Sequence, residues 1–147
     1  MSILYFWKWK NYENDVGIGK AYYLIQDNKL MLNLKPEQHI WAFTRLENET
    51  YILAADLVVS QTTDDSPEPK YGHYCAYADK LKSRYFKLSH SSDVEPVIKQ
   101  LNFYAQKRTP PRVKALGSLF QGLAAVKELT PSDEQKLTTF SSKLATI

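Results

Sequence analysis

"HIWAFTRLENETYILAADLVVSQT" (His39 to Thr62) holds two runs rich in β-branched and aromatic residues on either side of the polar "LENE". Four polar residues suit a hairpin loop, so "HIWAFTR" (His39 to Arg45) and "TYILAADLVVSQT" (Thr50 to Thr62) are predicted to pair as antiparallel strands. Most of their positions are apolar on both faces. Short, closely spaced strands of that kind favour a small curled or closed sheet over a doubly wound parallel one.

Upstream, "ILYFWKW" (residues 3 to 9) begins apolar on both faces and then alternates, with Trp7 and Trp9 opposite Lys8 and Lys10. It predicts a central strand. From Asn11 to about Gln26 the pattern is poorer and suits a short helix after Asn14 or Asp15, weakened by Gly17 and Gly19. "DNK" (Asp27 to Lys29) signals a turn, and "LMLNL" (Leu30 to Leu34) leads into a second turn opened by Pro36.

Downstream, "TDDSPEPK" is an exposed loop, with two prolines, three acids and no large apolar residue. "YGHYCAYA" (Tyr71 to Ala78) and "SRYFKL" (Ser83 to Leu88) give two further β segments around "DKLK". Ser92 and Glu95 have capping-box spacing and predict a helix from about Asp93 to Gln106, burying Val94, Val97, Ile98, Leu101 and Tyr104 or Ala105. "RTPPR" breaks it. "GSLFQGLAAVKEL" (Gly117 to Leu129) is read as a turn and a final strand, after which Thr130 as N-cap and Pro131 at the first helical position open a helix to about Leu144. The expected architecture is α+β, about six strands with flanking helices, in a single domain spanning residues 1–147.

The 147 residues carry 44% hydrophobic and 24% charged side chains, ordinary for a globular chain, but 13% aromatics, including ten Tyr and three Trp. Cys75 has no second cysteine to pair with, and the N-terminus lacks the features of a signal peptide, so a cytoplasmic setting is expected. No apolar run approaches the roughly 18 residues of a membrane span. The net charge of +3 permits a polyanionic partner without requiring one. Eight of the nineteen basic residues fall in "KLKSRYFK" (Lys80 to Lys87) and "KRTPPRVK" (Lys107 to Lys114).

Catalytic constellations are thin. His39, His73 and His90 lack helical metal-pair spacing, His73 and Cys75 alone do not make a zinc site or a nucleophile with its base, and a buried, inert Cys75 is expected. "GIG" (Gly17 to Gly19) is not part of a phosphate-binding glycine motif. Asp64 with Asp65 sits in the exposed loop, and Asp93 with Glu95 is explained by capping. No cofactor or metal is expected. What remains is aromatic residues beside basic ones: rings that fill a core, or rings of which a few line a pocket where a flat heterocycle stacks while amides such as Asn11 and Gln121 read its edge.

In their order, "YFWKWKNY", "IWAFTR", "YILAADLVVS", "KSRYF" and "LFQGLAAV" resemble a PUA-like module related to EVE domains, including those found beside HNH nuclease domains in bacterial proteins. The resemblance covers most of residues 3 to 129 and implies a small β-barrel with flanking helices that binds DNA or RNA without catalysis, holding a flipped base, modified or not, in an aromatic pocket. By it, Trp9, Asn11 and Tyr12 border the pocket, with Trp41, Tyr85, Phe120 and Gln121 as further candidates. Arg84, Lys87, Arg108 and Arg112 are the expected phosphate contacts. The chain has no HNH motif, so any nuclease or effector is a separate partner, and no membrane is involved. A protein-interaction or small-ligand module on the same fold, or an enzyme with an unrecognised site, are the alternatives.

Overall fold

The central hairpin forms where the sequence places it: β3 (His39–Arg45) and β4 (Tyr51–Thr63) pair antiparallel, from His39 opposite Val58 to Arg45 opposite Tyr51. A computed structural model describes residues 1–17, 21–88, 93–105, 120 and 125–147. The Leu46–Glu49 loop closes through Leu46 N–H to the Thr50 carbonyl and Glu49 N–H to the Leu46 carbonyl, each 2.9 Å, with Glu49 at a φ of 67°.

β4 is long because it serves several partners. Its first part pairs with β3, its middle with the two-residue β6 (Arg84–Tyr85), and its last part with β5 (Tyr74–Ala78). Two irregularities bend it. Ala42 faces Ala55 but Phe43 faces Leu53, leaving Ala54 over, and Val59 faces Ala78 but Gln61 faces Tyr77, leaving Ser60 over. Such bulges sharpen the local twist. With β1 (Ile3–Phe6), β2 (Tyr23–Gln26) and β7 (Val126–Glu128), the sheet curls into a half-barrel in the order β2-β5-β4-β3-β1-β7, with β6 beside that path on β4. β1 lies parallel to β3 and antiparallel to β7, so it is central, as expected.

The bulge at Ala54 also divides the interior. Ala55, Leu57 and Val59 enter a first core, whereas Tyr51 and Leu53 enter a second. An uninterrupted strand would keep all five odd-numbered side chains on one face. Ile3, Tyr5, Trp7, Ile40, Ala42 and Tyr85 join the first core, and Leu4, Trp41, Phe43, Phe86 and Phe120 the second. Each face is covered by its own helical segments. α1 (Trp9–Gly17) and the 3-10 turn Lys29–Asn33 cover the first; α2 (Glu95–Ile98), α3 (Asn102–Ala105) and α4 (Pro131–Ser141) cover the second.

Several elements differ from the sequence reading. β1 stops at Phe6 and α1 begins at Trp9, so Trp9 is helical. The spacing Trp9, Tyr12, Val16 is helical, and all three pack on the first core, which outweighs the brief Trp–Lys alternation. Residues 23–26, read as irregular or helical, form β2, whose ordering comes from pairing with β5, a contact distant in sequence. The apolar Leu30 to Leu34 segment is mostly the 3-10 turn, capped by Asn28, whose side chain accepts from Leu30 N–H at 2.9 Å.

The helix expected over 93–106 is two short ones. Gln100 N–H and Leu101 N–H bond three residues back, to Val97 and Ile98, which tightens the chain between them. Ser92 lies outside the described residues; Asp93 Oδ1 accepts from Glu95 N–H at 3.0 Å. α4 opens at Thr130 and Pro131 as expected, and Asp133 completes a capping box with Thr130. It ends at Ser141 rather than Leu144. Of the stretch read as a turn and final strand, residues 126–128 are β7 and residues 117–119 and 121–124 lie outside the described residues.

Candidate ligand pocket

α1 leaves the sheet almost at once. Trp7 N–H still bonds the Phe43 carbonyl at 2.8 Å, and Tyr12 N–H already bonds the Lys8 carbonyl at 2.9 Å. Two aromatic contacts fix the helix: Tyr12 packs edge-on against Trp7, centroids 5.3 Å apart, and Trp9 stacks on Tyr12 at 5.6 Å. With Tyr12 and Val16 turned to the core, Asn11, Asn14 and Asp15 share another face, because residues three and four apart are neighbours on a helix.

That face borders a pocket of about 500 Å³. Tyr5, Trp7 and Leu57 contribute buried surface; Ala21 and the whole of β2 form another wall; Glu68 and Tyr71 come from the loop before β5. Asp15 Oδ2 accepts from Trp7 Nε1–H at 3.1 Å, and Gln26 Nε2–H donates to the Tyr5 hydroxyl at 3.4 Å. Tyr23 and Tyr71 are 47% and 61% exposed, so their rings stand at the mouth. The loop holding Glu68 and Tyr71 is seated by Gly72, at φ 154°, where a Cβ would come within 2.7 Å of the Gln26 backbone. His73 N–H then bonds Asp27 Oδ1 at 2.8 Å.

The electrostatics follow from this lining. Two carboxylates, Asp15 and Glu68, face in, and no Lys, Arg or His is among the described lining residues. The Tyr5 phenol is pushed far above its ordinary range by burial first and by Asp15 second. Tyr23 is raised as well, by burial first, then by Glu68 and Asp15. Lys70 adjoins the lining without joining it, its Nζ 4.9 Å from the centre of the Tyr71 ring.

The aromatic and amide residues proposed from sequence do not converge here. Asn11 lines the pocket. Trp9 is turned to a shallower hollow with Lys8 and Arg45, and Tyr12 is 4% exposed beneath it. Tyr85 is buried in the first core, its hydroxyl donating to the Ala21 carbonyl. Trp41 and Phe120 are buried in the second core, on the opposite face of the sheet. Their bulk is used in packing. Gln121 lies outside the described residues.

The basic candidates also separate. Arg84 Nη2 bonds the buried Asp56 at 2.8 Å and Ser141 Oγ at 3.3 Å, and its guanidinium lies 5.0 Å from the Phe86 ring centre. It is committed to the interface between β4 and α4. His39 Nδ1 meets the other Asp56 oxygen, so one carboxylate holds both side chains. Lys87 is exposed, and Arg108 and Arg112 lie outside the described residues.

Cys75 is fully buried on β5, and burial pushes its thiol up, as suits an inert cysteine. Among the described residues no group of three or more His, Cys, Asp or Glu is disposed to hold a metal ion, and no helix is long and apolar enough to cross a membrane.

Sequence reasoning missed Tyr5, Trp7, Asn14, Asp15, Gln26 and Glu68 as pocket residues. The usable signal was Asn11, Asn14 and Asp15 at helical spacing, legible once the helix starts at Trp9. No protein-family model matches this chain, and no curated protein does.

Proposed function

We propose that this chain is a non-enzymatic nucleic-acid-binding module of the PUA-like, EVE-related kind, which takes one flipped base into the pocket between α1 and β2. The observation that carries the reading is the pocket itself: about 500 Å³, within the range of small-molecule sites, with rings from Tyr5, Trp7, Tyr23 and Tyr71 and amides from Asn11, Asn14 and Gln26. The curled sheet with helices on both faces agrees with such a module. Extruding a nucleotide costs about a few kcal/mol, and stacking returns ~1–3 kcal/mol per base. Lys70 and Lys87, with Arg108 and Arg112, neutralise phosphates in this reading, and Arg84 holds the fold instead.

A second reading, a small-ligand module for an organic cation, is favoured by the two carboxylates and the rings around them. Salt dependence separates the two. A strand held by its phosphates shows log affinity falling linearly with log salt, with a slope of roughly −0.7 per contact on single strands. Titration of labelled DNA and RNA oligonucleotides at several salt concentrations is the test; an absence of oligonucleotide binding at low salt, with retention of a small amine, would favour the second reading.

A further inference from the structure

The β2 wall of the pocket offers more than side chains. β2 is at the end of the sheet and pairs on one side only, with β5. The Tyr22 carbonyl accepts from Ala78 N–H at 2.8 Å, and the register runs on without a shift, Tyr23 opposite Tyr77 to Gln26 opposite Tyr74. Antiparallel ladders alternate, so Tyr22, Leu24 and Gln26 turn their peptide groups toward β5, and Tyr23 and Ile25 turn theirs to the open edge. All four β2 residues line the pocket, as a wall made of strand edge requires. The Tyr23 carbonyl and the Ile25 N–H, two residues apart on that edge, have no described partner.

We infer that this edge reads the bound heterocycle by main-chain pairing, and that the pocket selects an amino-bearing base over its oxo counterpart. The Tyr23 carbonyl accepts from the ligand and the Ile25 N–H donates to it. Both kinds of base set a donor beside an acceptor, so the edge alone accepts either. Charge decides between them. An exocyclic amino group has a second N–H for Asp15 or Glu68, whereas an oxo group turns lone pairs on those carboxylates, and no described cation in the lining relieves the repulsion. This inference rests on the pocket being a base site, but not on the base belonging to a polymer.

The experiment uses two matched pairs of free nucleosides, adenosine with inosine and cytidine with uridine, on the full chain by calorimetry or ligand-observed NMR. Adenosine and cytidine are expected to bind about tenfold more tightly than their partners. In Asp15→Asn, which keeps an acceptor for Trp7 Nε1, that preference should shrink. Ile25→Ala trims the side chain and keeps the N–H, while Ile25→Pro also removes that N–H from the open edge without touching the β5 ladder, a position where a strand tolerates proline. Proline should weaken adenosine about three- to tenfold beyond alanine. Equal binding within both nucleoside pairs overturns the inference, whether or not the proline variant folds. Oligonucleotide binding that ignores base identity would leave the proposed function standing and sink this inference. Discriminating nucleoside binding without oligonucleotide binding would do the reverse.

Discussion

The indole of Trp7 donates to the carboxylate of Asp15 at 3.1 Å, and this bond ties the chain two residues before α1 to the second turn of that helix, a wall of the pocket. It makes Asp15 both an anchor and a charge. Asp15→Ala should cost about 1–3 kcal/mol, since the buried indole N–H loses its acceptor, and should weaken any ligand of the pocket. Asp15→Asn should recover most of the stability and not the ligand affinity. Thermal unfolding beside ligand titration separates the two roles; equal loss of both in each variant would show that the charge has no role of its own.

Trp9 and Asn11 are two residues apart and do different work. Trp9→Ala loses a stacked, half-buried ring and should destabilise by about 1–3 kcal/mol without a change in base preference. Asn11→Ala, on an exposed position lining the pocket, should leave stability within about 0.5 kcal/mol and lower ligand affinity. The reverse pattern in the two unfolding curves would move the site to the hollow beside Trp9.

His39 provides a pH signature. The hydrogen bond to Asp56 raises its pKa above the ordinary value, against burial and the Arg84 charge, which lower it. Asp56 and Glu134 favour the charged ring and Arg84 opposes it; Trp41 stacks on it with centroids 5.5 Å apart. A raised folded-state pKa means the stabilisation is complete below about pH 6.5, the unfolded value, and is lost as pH rises through the folded pKa. The stability difference between the parent and His39→Gln should therefore be widest in mild acid and narrow toward alkaline pH. A difference that stays constant across that range would mean the imidazole does not titrate with folding.

Gly72 should not tolerate a side chain. Alanine there meets the Gln26 backbone at 2.7 Å in a conformation that L residues rarely adopt, so Gly72→Ala should destabilise by about 1–3 kcal/mol and displace Glu68 and Tyr71 from the pocket. Loss of ligand affinity at a temperature where the variant remains folded is the expected result. A variant as stable as the parent would show that the loop shifts freely on β2.

How much of this was legible in the sequence depended on whether local signals and long-range contacts agreed. The hairpin, the central first strand and the Thr130–Pro131 helix start were readable because alternation, a polar spacer and a capping residue act within a few positions. β2 was not, because its order comes from β5 some fifty residues away, and the Trp9 helix was masked by a brief strand-like alternation. The pocket suffered most. Trp41, Tyr85 and Phe120 have the composition of binding residues and are packing, since a ring's chemistry does not state which face of a sheet it occupies. Arg84 likewise reads as a free cation until Asp56, also in a mainly apolar strand, is found beside it.

The single unmatched residue at Ala54 has a consequence for how the molecule comes apart. Because β4 sends Tyr51 and Leu53 to one interior and Ala55, Leu57 and Val59 to the other, neither interior can melt while the strand stays in place. The two layers are then one cooperative unit rather than two subdomains with separate transitions. Amide hydrogens of β4 that pair with β3 should be among the last to exchange with solvent, at the free energy of global opening, and those of α1 should exchange earlier. Deleting Ala54 would make Leu53 and Ala55 successive residues on the opposite faces they already occupy, so both interiors would keep their side chains and the loss would fall on the local bend of β4.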